Sequence, residues 1–143
     1  DPSTRLMLML AAYAGLRRAE IAAVRSRDVG PLGLRVTGKG ARVRVVPVHP
    51  RLAPLLAQVD GWAFPSPRGG RLTADAVGRR IARALGGGWT AHSLRHRFAT
   101  AAYCGTRDLR AVQELLGHSK PETTMAYTAI PEDHLAAAVL AVA

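Results

Sequence analysis

Apolar positions open the chain in helical spacing. Behind Asp1-Pro2-Ser3, a helix-start pattern, Leu6, Leu8, Leu10 and Tyr13 predict a buried helix closed by Gly15. A second short helix should carry Glu20, Ile21 and Val24 and end before Asp28. The period then changes from helical to two. In Leu34-Arg35-Val36-Thr37 and in Arg42-Val43-Arg44-Val45 apolar residues alternate with polar ones, and Gly38-Lys39-Gly40 lies between them as turn chemistry. This predicts a β-hairpin with a lysine at its tip. Pro50 to Val59 reads as another helix, and Trp62-Ala63-Phe64-Pro65 as a short extended piece. Val77, Ile81 and Leu85 then recur every four residues behind a cap at Thr73, with Leu72 and Val77 as its staple, until Gly86-Gly87-Gly88 breaks the helix. Further helices are expected around Leu94, Phe98 and Ala102, and around Leu109, Val112 and Leu116, the latter capped by Thr106 and stopped at Gly117. Pro121 opens one more turn or short helix leading to Tyr127, and Pro131-Glu132-Asp133 a final Ala-rich helix. The sum is an α+β domain, mostly helical, with a small antiparallel β-sheet. No internal repeat or linker divides it, so residues 1–143 are expected to form one domain.

Composition narrows the chemistry. Twenty Lys and Arg stand against ten Asp and Glu, a formal charge of +10, and 18 of the 20 are Arg. An anionic partner such as nucleic acid fits this charge, although biased coding also produces Arg-rich chains. The longest apolar stretches, Leu6 to Ala14 and Leu135 to Ala143, fall short of the roughly 18 residues a membrane span needs. No membrane partner is expected, and the chain is expected in the cytoplasm. Cys104 is the single cysteine, which excludes an internal disulfide, and it is expected to be a small buried residue. The carboxylates include no D-x-D pair, which leaves little from which to build a magnesium-dependent nuclease site.

Two motifs lead nowhere. Gly33 to Lys39 fits most of a phosphate-binding P-loop, but Gly40 stands where Ser or Thr must reach the metal, and a strand follows where a helix should. His92 and His96 lie four apart on one helix, but Ser93 replaces the glutamate of a zinc protease and no third ligand is evident, so no metal site is expected.

What remains is Ala91-His92-Ser93-Leu94-Arg95-His96-Arg97, then Leu116-Gly117-His118-Ser119, then Tyr127 at the end of Thr123-Thr124-Met125-Ala126-Tyr127. His92 and Arg95 lie nearly one helical turn apart and share a face. Upstream, Gly15-Leu16-Arg17-Arg18-Ala19-Glu20 places an arginine at a helix entrance with a carboxylate three residues on. Taken singly, each of these residues has an ordinary explanation as a surface, capping or core side chain. Together, in this order and spacing, they resemble the catalytic domain of the tyrosine recombinase (phage integrase) family, over nearly the whole chain.

The resemblance implies a set of roles. Arg17 and Arg95 match the family's two arginines, Lys39 its hairpin lysine, His92 and His118 its two imidazole positions, and Tyr127 its nucleophile, while Glu20 matches the acidic residue that braces the first arginine. The chemistry explains those residue types. A phenol is a nucleophile that can leave again, so a covalent 3′-phosphotyrosyl intermediate stores the bond energy and no ATP is required. Two guanidiniums can hold the non-bridging phosphate oxygens where other enzymes use metal ions, so no cofactor is expected. The departing 5′ oxygen needs a proton, which a lysine supplies more readily than an arginine. His49, His96 and His134 match nothing catalytic.

Arg79, Arg80, Arg83 and Arg97 are candidate contacts to the phosphates of double-stranded DNA. The resemblance further implies a homo-oligomer on DNA, a tetramer in the synapse; the apolar stripe of the C-terminal helix (132–143) leaves two alternatives open, docking on a neighbouring protomer or packing on its own domain. A full family member also carries N-terminal core-binding or arm-binding domains, expected to be absent from this chain, so its DNA binding should be weak and steeply salt-dependent. Two other functions stay open on the sequence. One is relaxation of DNA by a type IB topoisomerase-like monomer; the other is a non-catalytic DNA-binding module whose Arg and His side chains only contact phosphates.

Overall fold

A computed structural model describes residues 1–117 and 132–142, with side chains of 132–134 excepted. Helix α1 (Pro2–Ala14) starts on Asp1, whose carboxylate accepts from the Thr4 N–H at 2.9 Å, and ends at Gly15 in the left-handed region. Helix α2 (Arg18–Ala22) follows after Leu16, which is fully buried, and Arg17. It stops short of Val24 because the chain turns extended at Arg25 to bridge with Trp62.

The strands are β1 (Val29–Gly30), β2 (Gly33–Thr37) and β3 (Val43–Val46), antiparallel in the order β1-β2-β3. The sequence pattern anticipates the β2–β3 hairpin and omits the two-residue β1. Register pairs Leu34 with Val46 and Val36 with Arg44, so all four lie on one face. Leu34, Val36 and Val46 are buried, whereas Val43 and Val45 face outward. Between β2 and β3 the Gly38 N–H donates to Arg42 O at 2.7 Å, and a tight turn over Lys39–Ala41 leaves Lys39 exposed.

The expected helix over Pro50 to Val59 shrinks to α3 (Ala53–Leu56), with turns around it. Helix α4 (Ala74–Leu85) is capped by Thr73 as its sequence predicts, and buries Val77 and Ile81. Helices α5 (Ala91–Thr106) and α6 (Leu109–Leu116) follow. The cap of α6 is Asp108, not Thr106, because the Thr106 hydroxyl donates back to Ala102 O inside α5 while Asp108 accepts from Ala111 N–H at 2.9 Å. Helix α7 (Glu132–Leu140) lies against α5 and α6 of its own chain, with Ala138, Val139 and Val142 buried. Cys104 is exposed rather than buried, since α5 turns Ala102 inward and the next residues outward.

α5 is the central support, packed against α1, α4, α6 and α7. Phe98 at its middle is fully buried and fills the space beside Gly15. That contact sets the height of the α1–α2 junction relative to α5, and the candidate site forms there. Among the described residues no helix is long and apolar enough to cross a membrane.

Candidate active site

Glu20 is the centre of the site, with its side chain 3% exposed. It lies at the third position of α2 because Arg17 is the N-cap, and its carboxylate reaches back to accept from the Arg17 backbone N–H at 2.8 Å. The same carboxylate accepts from the Arg17 guanidinium at 3.1 Å. On its other side Arg44 donates from both terminal nitrogens, Nη1 to Oε1 and Nη2 to Oε2, each at 2.9 Å. Arg95 Nη1 stands 3.9 Å from Oε2. Burial alone would raise the Glu20 pKa, but the hydrogen bonds from Arg44 and the Arg17 backbone, with the charges of both arginines, hold it below the ordinary carboxylate value.

Three guanidiniums therefore surround one carboxylate, an excess of positive charge among the described residues. Their exposures differ. The Arg17 side chain is 43% exposed, whereas those of Arg44 and Arg95 are 8% and 6% exposed. Arg95 is held by two backbone carbonyls, Gly15 O at 2.6 Å and Leu116 O at 2.7 Å. Burial, with repulsion from Arg17 and Arg44 only partly offset by Glu20, pushes its pKa down to about 10, so it remains a cation at neutral pH.

Arg17 and Arg95 open onto one cleft of about 600 Å³, walled by α4 and by the first turn of α5. His92 and Arg79 line the same cleft, and His92 is exposed to it. Residues 78 positions apart in sequence thus meet because α2 and α5 both lie on α4. Lys39 does not line this cleft. Its turn nevertheless adjoins the cluster, because a Cβ added to Gly38 would lie 3.3 Å from Glu20 Oε1. Arg80 and Arg83 are exposed on α4, and Arg97 on α5, beyond the cleft lining. His118 and Tyr127 lie outside the described residues. His49 is a buried structural residue and His96 is on the surface.

The residue that sequence reasoning did not single out is Arg44. Alternating Val and Arg in β3 does not say which set faces inward; only the pairing of Val46 with Leu34 turns Arg44 toward the core.

The sequence model of the phage integrase family matches residues 1–134. The chain belongs to the phage integrase family. Its fold is that of integrase and recombinase catalytic domains. The integrase from mycobacterium phage Brujita superposes with a TM-score of 0.87 at 34% identity, over 100% of this chain and 52% of that one. A XerH site-specific recombinase, solved bound to its difH substrate before cleavage, superposes with a TM-score of 0.69 at 25% identity, covering 87% of this chain and 42% of that one. The tyrosine recombinase XerC of Chromohalobacter salexigens is 40% identical over 146 residues, 91% of this chain and 49% of the relative. This phage integrase family chain spans about half the length of the curated relatives it matches.

Proposed function

We propose that this chain is the catalytic domain of a site-specific DNA recombinase that cuts and rejoins strands through a 3′-phosphotyrosyl intermediate. The observation that carries the reading is the cleft shared by Arg17, His92 and Arg95, with more positive charge around it than its buried carboxylate neutralises. Such a cleft suits a phosphodiester whose non-bridging oxygens gain charge as phosphorus becomes five-coordinate. In this reading Arg17 and Arg95 hold those oxygens and Glu20 braces Arg17. Tyr127 attacks phosphorus, and the 5′ oxygen leaves with a proton from Lys39. His92 and His118 assist proton movement and hydrogen-bond the phosphate. Attack by the 5′ hydroxyl of another strand then expels Tyr127 and restores a phosphodiester, with no net change in the number of bonds and no ATP. Arg79 extends the grip to a neighbouring phosphate from inside the cleft, and Arg80, Arg83 and Arg97 add weaker contacts outside it.

The partner in this reading is double-stranded DNA; the similar XerH site-specific recombinase was solved bound to its difH substrate. Four protomers assemble on it in the synapse, in the cytoplasm of a bacterial cell. Exchange of residues 132–143 between protomers requires the contact of α7 with its own α5 and α6 to open first.

Covalent trapping tests the reading. The protein is incubated with nicked duplexes of randomised core sequence, then denatured, and protein–DNA adducts are recovered. An adduct that forms in the presence of a chelator and disappears in Tyr127→Phe is the expected result. No adduct across the pool, or one that survives Tyr127→Phe, overturns it.

A further inference from the structure

We propose that Arg44 is a positioning residue for strand cleavage: a buried cation that locks the brace of Arg17, the Lys39 turn and the end of α6 into one frame. The inference rests on the strand-cleavage reading above. It starts from a residue that the charge pattern alone would assign to solvent.

Arg44 projects from β3 on the inward face beside Val36 and is hydrogen-bonded to groups from two other elements, α2 and α6. Its Nε donates to Leu115 O at 2.7 Å, on the last turn of α6, and Nη1 and Nη2 grip both oxygens of Glu20 in α2. A cation at a helix C-terminus is favourable in itself, since the last carbonyls have no intrahelical partners. The chain is close to Arg44 at two more places. A Cβ on Gly117 would lie 2.9 Å from Nη1, and a Cβ on Gly38 3.6 Å from it. Gly38 precedes Lys39 in sequence, and Gly117 precedes His118.

Arg44 does not line the cleft, so it is not one of the phosphate-gripping cations. Filling space does not explain it either. Apolar side chains in place of both Arg44 and Glu20 would fill the same positions without the desolvation cost, and such replacements of whole buried ion pairs are often neutral for stability. What an apolar side chain cannot do is hold a carboxylate and a helix-terminal carbonyl at a fixed separation. Glu20 is shared between Arg44 and Arg17. Without Arg44 its carboxylate can swing toward Arg95, only 3.9 Å away, and carry the Arg17 guanidinium with it. Small displacements of groups that hold a reacting phosphate are costly in rate even where binding survives.

Two variants test this. Arg44→Met removes the charge and keeps the length; Arg44→Lys keeps the charge and the fold but cannot reach Glu20 and Leu115 O together. Each is measured for DNA affinity in a Tyr127→Phe background, for the single-turnover rate of adduct formation, and for amide hydrogen exchange. The expected result is unchanged affinity and salt dependence, an adduct rate about a hundredfold lower in Arg44→Lys, and faster exchange at residues 17–20, 38–42 and 115–117 together. An adduct rate within about twofold of the parent in folded Arg44→Lys overturns the proposal. So does a rate loss matched by an equal loss of DNA affinity, which would make Arg44 a DNA contact, or faster exchange confined to β3. A parent protein that forms no adduct, while Arg44→Lys still loosens all three segments, overturns the strand-cleavage reading and not the frame.

Discussion

Glu20 shows how a single acidic residue sets the state of the cations around it. Taking a carboxylate out of water is unfavourable, but here two guanidiniums and a backbone N–H more than offset the loss, and the carboxyl stays ionised below its ordinary range. A carboxyl with a lowered folded pKa stabilises the protein at pH values above its unfolded pKa, and that contribution is lost as pH falls through the folded value. Glu20→Gln removes the charge and leaves Arg44 and Arg95 buried beside each other without a counter-ion. The expected cost is about 3 kcal/mol at pH 7 by urea denaturation, with the parent and variant curves converging below about pH 4 as the parent carboxyl itself is protonated. Equal stability of the two proteins at pH 7 would mean that the cations are compensated elsewhere. Glu20 was legible in the sequence because its spacing from Arg17 is local, one helical turn. Arg44 was not, because its partner lies 24 residues away and its inward orientation is a matter of strand register.

At the level of elements, the local signals that held were those written in adjacent residues. Thr73 caps α4, Gly15 closes α1 and Gly117 closes α6, each where sequence places it. Those that failed involved competition between neighbours. Thr106 satisfied its own helix and left the α6 cap to Asp108; β1 was too short to carry a pattern. Of the seven residues that sequence assigns to the site, Arg17, His92 and Arg95 line one cleft, Glu20 bonds Arg17 behind it, Lys39 stays outside it in a turn whose Gly38 adjoins Glu20, and His118 and Tyr127 lie outside the described residues. Gly15 is where element geometry bears on that meeting. Its φ of 67° is left-handed, its carbonyl holds Arg95, and a Cβ there would lie 2.5 Å from the Phe98 ring. Gly15→Ala therefore combines backbone strain with overpacking, for an expected loss of about 3 kcal/mol. Because the carbonyl moves with the Cα, adduct formation should fall further than the unfolded fraction accounts for. A variant that is destabilised yet fully active per folded molecule would separate Gly15 packing from Arg95 placement.

Across the whole molecule, the last helix and the body that carries the cleft are joined by one buried imidazole. His49 accepts from the Arg51 backbone N–H at Nδ1 at 3.1 Å, and its Nε2 lies 3.0 Å from Val142 O. An acceptor at Nδ1 requires the neutral ring with its proton on Nε2, which then donates to Val142 O. Burial lowers the His49 pKa, the Val142 carbonyl partly restores it, and the Arg51 charge lowers it again. The folded protein thus binds fewer protons at His49 than the unfolded chain does. The contribution of His49 to folding stability is complete above the ordinary histidine value of about 6.5 and is lost as pH falls through the lowered value. Around this bond Ala138, Val139 and Val142 are buried, and Ala141 lies against Gly105 of α5. The apolar contact should keep α7 in place at neutral pH, with the imidazole adding a term that acid removes. Hydrogen exchange at residues 138–142, corrected for its intrinsic pH dependence, should accelerate on acidification from pH 7.5 to 5. In His49→Gln, whose amide can donate to Val142 O without titrating, the corrected rate should stay flat. An identical acid response in parent and His49→Gln would move the titrating group elsewhere and leave α7 held by apolar packing alone.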